Sequence, residues 1–236
     1  VDSTRAVRKN PKLSDPDLQK EISAFIGQEA MHTQEHVNFN ASAQKYGHDV
    51  ATLERRTGVV IQTGRKLFAQ LVKPFGMTQE MVDLTATTAL EHFTATIASE
   101  LLRNPHIQAL MQDDTMSYMW LWHAVEENEH KAVAYDVYEE IFGRGVKAYA
   151  LRNTALVVAM VAIFLTQSSF VLKLLKDDGK LNLKELGMIY TYAYSPSKGI
   201  IAGMAGEMLA YFKPRFHPND LDTVQLLKDW KAKLGL

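Results

Sequence analysis

Glu29-Ala30-Met31-His32-Thr33-Gln34-Glu35-His36 and His123-Ala124-Val125-Glu126-Glu127-Asn128-Glu129-His130 decide how this chain is read. Each stretch sets one glutamate and two histidines three and four residues apart: Glu29, His32 and His36 in the first, His123, Glu127 and His130 in the second. At about 100° per residue, three such positions fall within roughly 60° of arc on a helix, so each helix aims three ligand side chains at one point. Two helices of this kind facing each other predict a dinuclear metal centre in an all-α protein.

Working outward, capping and breaking residues divide the chain into helices. Ser14-Asp15-Pro16 is a start signal for a helix from Leu18 to about Tyr46, ended by Gly47. A second fits Val50 to Lys73, closed by Pro74 and Gly76, and a third runs from Thr78 to about Arg103, before Asn104-Pro105. After the Asp113-Asp114-Thr115 cap, one long helix is expected through His123 and His130 to Ile141, stopped by Gly143. Lys147–Leu175, Leu183–Tyr194, Lys198–Phe212 and Asp220–Leu234 complete the series. No strand ladder, internal repeat or glycine-rich phosphate loop is present in the pattern. A single helical domain over 1–236 is expected, with a metal-binding bundle over about 1–143 and additional helices over about 145–236.

The charge balance, 26 basic against 27 acidic residues, leaves no electrostatic footprint for nucleic acid. Cysteine is absent, which removes disulfides, iron–sulfur clusters and thiolate zinc sites, so any metal is held by nitrogen and oxygen. The start at Val1-Asp2-Ser3-Thr4, without an initiator methionine or a signal pattern, reads as an interior start. A cytoplasmic location is the expectation. The uncharged stretch from Asn153 to Leu172 has the length to cross a bilayer, but Thr166, Gln167, Ser168 and Ser169 dilute it. It is expected to be a buried core helix, with membrane contact and a homodimer surface as the alternatives.

A four-helix bundle that holds two metals takes a carboxylate from each of two helices and a Glu-x-x-His pair from each of the others. Glu29 with His32 and Glu127 with His130 are those pairs, Glu91 on the third helix is the candidate bridging carboxylate, and His36 and His123 add nitrogens one turn away. Thr87, Thr88, Thr94, Ala95 and Ala98 surround Glu91 with small side chains, while Glu100 points to the opposite side of that helix. Glu126 competes with Glu127, since His123, Glu126 and His130 span a similar arc; spacing to His130 favours Glu127. His92 is either a partner behind a ligand or a packed side chain. Glu35 and Glu129 belong to flanks, His48, His106 and His217 to the surface, and Trp120 with Trp122 to core packing. A fourth carboxylate is not evident.

At Phe25-Ile26-Gly27-Gln28-Glu29-Ala30-Met31-His32 with His36, and at His123 through His130, the sequence resembles the ferritin-like family labelled predicted metal-dependent hydrolase, over nearly the whole chain. The His-x-x-x-Glu-x-x-His pattern is also similar to that of the di-iron N-oxygenases of aryl amines, as a motif only. By resemblance, Glu29, His32, Glu91, Glu127 and His130 take the usual ligand places, with His36 and His123 as additional ones. A further ligand glutamate in such families comes from an earlier helix, of which Val1 to Lys9 reads as the tail, so its match would lie upstream of Val1.

The function expected first is a di-iron oxidase or oxygenase that uses dioxygen, an electron donor and a small apolar or aromatic substrate. A zinc or manganese hydrolase on the same ligands is the alternative, and iron storage a third. Apolar stretches at Ala155–Leu165 and Ile200–Met208 are candidate pocket walls.

Overall fold

The computed structural model describes residues 2–236 apart from the side chain of Phe75; Val1, first residue of the expected N-terminal tail, lies outside the described residues. Among the described residues the chain is all-α, with eleven α-helices and no strand. They are α1 (Asp2–Val7), α2 (Pro16–Lys45), α3 (Val50–Val72), α4 (Gln79–Arg103), α5 (Pro105–Gln108), α6 (Asp114–Glu129), α7 (Val133–Phe142), α8 (Val146–Asp177), α9 (Leu183–Tyr194), α10 (Ile200–Ala210) and α11 (Val224–Leu234).

Local chemistry sets most boundaries. The Asp15 carboxylate accepts from the Asp17 amide at 2.9 Å, with Pro16 at the first helical position of α2. Asp113 caps α6 through the Met116 amide at 2.8 Å. Gly76 ends the turn after α3 with φ of 77°, a left-handed conformation that costs a glycine nothing.

α4 is the central helix, packed against α1, α3, α6, α7, α8 and α10. Three apolar clusters meet on its sides. Leu84 joins Ile22 and Phe25 of α2 and Val137 of α7; Ala89 joins Leu156 of α8, Met204 and Met208 of α10, and Tyr211; Ala98 and Leu102 join Leu121 and Val125 of α6. Full burial of a side chain such as Phe25 or Leu84 contributes about 1.5–3 kcal/mol over leaving it exposed. Polar ties fix the register: Ser99 bonds Asn128 at 2.7 Å between α4 and α6, and Thr88 reaches the Ala134 carbonyl of α7 at 3.1 Å.

Two expectations are corrected. The helix drawn from Asp113 to Ile141 is broken at His130, where the backbone takes φ −105° and ψ 8°, and restarts at Val133. At the break the buried Lys131 turns its ammonium to the Leu221 carbonyl and to the Thr223 hydroxyl, 2.9 Å away, a tertiary anchor with no local signal. The Asn153–Leu172 segment is not a buried core helix. Of α8 only Ala148, Arg152, Ala155 and Leu156 are buried, because a helix of 32 residues is about 48 Å long and outruns the core it enters. Val157, Val161, Phe164, Leu165 and Leu172 form an exposed apolar stripe, and α8 is long and apolar enough to cross a membrane.

The buried N-terminal part of α8 is tied down by polar groups. Arg152 donates to the carbonyls of Tyr211 and Lys213 and lies over the ring of Tyr211, 4.7 Å from its centroid. The hydroxyls of Tyr135, Tyr138 and Tyr149 donate to the carbonyls of Phe216, Ala148 and Phe212.

Candidate metal centre

Glu29 and His32 come from α2, Glu91 from α4, and His123 and Glu127 from α6, with His130 as the residue that closes α6. Nitrogen or oxygen atoms of Glu29, His32, Glu127 and His130 all lie within 4.8 Å of one another. His32 Nδ1 is 3.2 Å from Glu29 Oε1 and 3.4 Å from Glu127 Oε1. His130 Nε2 is 3.2 Å from Glu29 Oε1, 3.6 Å from Glu91 Oε2 and 3.7 Å from Glu127 Oε2. His123 Nε2 meets Glu127 Oε1 at 2.8 Å. Six of the seven residues singled out from sequence therefore converge. The seventh, His36, stays at the margin, its ring 5.0 Å from that of His123 and 5.8 Å from that of Trp120.

The helix break serves this geometry. His130 takes a non-helical conformation, and Gln28 fixes its ring by accepting from Nδ1 at 3.2 Å, leaving Nε2 turned to the three carboxylates. Phe25 sets its ring edge against the same imidazole, centroids 5.1 Å apart.

Glu126 and Glu127, alternatives from spacing alone, both reach the cluster in different positions. Glu127 sits at the centre, while Glu126 Oε2 lies 2.8 Å from His32 Nε2, the ring nitrogen turned away from Glu29 and Glu127. A carboxylate on the far nitrogen of an imidazole orients a ligand rather than competing with it. Of the two tryptophans expected as core packing, Trp122 sets its ring edge on His32 and Trp120 stacks on His123, so both wall the imidazoles. His92 is a packed side chain, buried between Tyr211 and Phe216. Glu129 bonds Gln28 and Lys231 outside the cluster, and half-buried His217 bonds Asp136 at 2.8 Å rather than lying free on the surface.

Burial and mutual contact shift every central group of the cluster. Burial opposes the carboxylate form of Glu29, but the His130 and His32 contacts outweigh it and hold the carboxyl at about 2. Burial likewise works to raise Glu127, and contacts with His123, His130 and His32 bring it well below the ordinary range. Glu91 goes the other way, pushed up by burial and by the charges of Glu127 and Glu29. Burial alone would lower the two central histidines; contacts with Glu127 and Glu29 instead raise His32 to about 10 and His130 to about 9. Even so, Glu91 Oε2, Glu127 Oε2 and His130 Nε2 are buried and pack close to one another without a well-formed hydrogen bond. Orphaned polar atoms in an acidic pocket are costly unless something positive binds them. The donor set of imidazole nitrogens and carboxylate oxygens fits divalent iron, manganese or zinc.

Fold and site together define an all-helical protein with a buried carboxylate–histidine cluster suited to metal ions. The particular family follows from comparison: the model of the family described as predicted metal-dependent hydrolase matches residues 1–222, and the chain belongs to that family. No curated protein matches the sequence. No solved structure matches it either.

Proposed function

We propose that the cluster is a dinuclear, iron-dependent centre and that the protein is an oxidase or oxygenase acting on a small apolar or aromatic molecule. The observation that carries this reading is the convergence of Glu29, Glu91, Glu127, His32, His123 and His130 around buried atoms that lack partners. Two Glu-x-x-His pairs on separate helices with a carboxylate from a third are the donor arrangement of di-iron and di-manganese carboxylate proteins, which also supports a ferritin-like reading of the helices around it.

Bound there, a pair of iron ions would supply the electron transfer to dioxygen that the side chains cannot provide. The chain's own part is geometry. Glu29, Glu127, His32 and His130 would hold the ions, with Glu91 and His123 as further donors beside His130 and Glu127. Gln28 and Glu126 orient the rings of His130 and His32. Trp120, Trp122 and Phe25 exclude water from the imidazole side, and His36 stands at the outer rim beside Trp120.

Hydrolysis is the second reading, favoured by the family description. In that case zinc or manganese on the same donors would polarise a substrate oxygen and acidify bound water. Anaerobic addition of ferrous iron followed by dioxygen separates the two. The proposal expects uptake of about two irons per chain, stoichiometric oxygen consumption and a new near-ultraviolet band. Iron that binds without oxygen consumption, together with zinc-dependent ester or amide cleavage, would overturn it in favour of hydrolysis.

A further inference from the structure

A groove of about 300 Å³ runs between α3, α4 and α8. Val82, Ala86 and Leu90 make its floor along one face of α4, while Glu91 leaves that helix on another face toward the metal cluster, and no cluster residue lines the groove. By helical rise the α8 wall, from Ala155 to Phe170, is about 22 Å long, and the floor about 12 Å. Gly64 and Ala162 leave the channel open between its walls; a Cβ at Gly64 would meet no atom within 4 Å. Ile61, Leu90 and Val158 are between 41% and 54% exposed, so an almost wholly apolar groove stands open to solvent. Open apolar surface of this kind marks a binding site.

Charge indicates the occupant. Arg65 is the charged side chain that lines the groove, and Asp83 and Asp2 are the charges that act on it. Its Nε and one Nη bond Asp83, leaving three of the five guanidinium N–H groups for a second anion. The volume lies at the small end of ligand pockets and suits a single aliphatic chain.

We propose that this groove binds a free fatty acid, with one aliphatic chain along the α4 floor and its carboxylate at Arg65. The site is separate from the metal centre and independent of the reading given to that centre.

The test uses cis-parinaric acid fluorescence on the purified protein, with dodecanoate and dodecanol as competitors. Saturable binding at one site per chain is expected, displaced by dodecanoate. Gly64→Phe fills the groove from a position with free space, and should weaken binding by at least about tenfold while its better helix propensity keeps the fold; Ala162→Phe does the same from the opposite wall. Arg65→Ala should weaken dodecanoate about tenfold and dodecanol far less. Circular dichroism and metal content should match wild type in all three. Absence of saturable binding, or wild-type affinity in both filled variants, overturns the proposal. So does binding only to anionic vesicles without displacement by dodecanoate, or a dimer that Gly64→Phe splits and dodecanoate leaves intact. Equal loss of dodecanoate and dodecanol in Arg65→Ala overturns the head-group assignment.

Discussion

At the scale of single residues, Glu126 and Glu127 show how far spacing alone can go. Their neighbours His123 and His130 fit either glutamate on a helical wheel, and only the packing of α2 against the α6–α7 region separates a central carboxylate from one behind His32. Glu127→Ala should cut metal content toward one ion or none with the helical signal preserved, whereas Glu126→Ala should weaken affinity by about 10–100-fold, as loss of an orienting partner does; metal titration of both variants checks the order. The raised histidine values give a second prediction. His32 and His130 are protonated near neutrality, so metal uptake must expel those protons, and apparent affinity should climb with pH toward about 9–10. Titration in weak buffer with a pH indicator reads the release. In the metal-free protein the same two groups stabilise the fold fully below their ordinary value of 6.5, and that contribution is lost as pH rises through about 9 and 10. Glu91→Gln should then raise the stability of the metal-free protein at neutral pH by about 1 kcal/mol, by removing a carboxyl whose charged form is opposed first by burial and then by Glu127 and Glu29. The same change should impair metal binding, so a thermal melt and a metal titration should move in opposite directions.

At the scale of elements, the helices were legible where punctuation is chemical. Asp15-Pro16, Pro74 with Gly76, and Asp113 each mark an end that the structure has within about two residues. The break at His130 was not legible, because neither proline nor glycine marks it; beside it stands a lysine held by the Leu221 carbonyl and the Thr223 hydroxyl, some ninety residues away. Lys131→Met should destabilise the protein by about 1–3 kcal/mol in a denaturant melt, since it leaves the Leu221 carbonyl and Thr223 hydroxyl without their donor, and should disturb His130 one residue before it. The same limit explains α8. Apolar composition reads alike whether a helix is buried or bare, and only the length of the neighbouring core decides which of its turns are covered.

At the scale of the whole molecule, one helix organises everything. α4 presents Glu91 to the cluster on one face, Ala86 and Leu90 to the groove on another, and Ala98 with Leu102 to α6 and α11. Six of the candidate ligands were legible from their helical spacing and Glu91 from the small side chains around it; all but His36 meet in the structure. Gln28, Trp120 and Trp122 left no comparable signal, since their roles exist only once three helices are side by side. The measurement closest to the central claim is elemental analysis of the purified protein beside His130→Ala, with circular dichroism on both. A dinuclear centre predicts about two metal ions per wild-type chain, and one or none in a variant that keeps its helical spectrum. Full metal retention in His130→Ala, or a folded wild type that takes up no divalent metal, would contradict it.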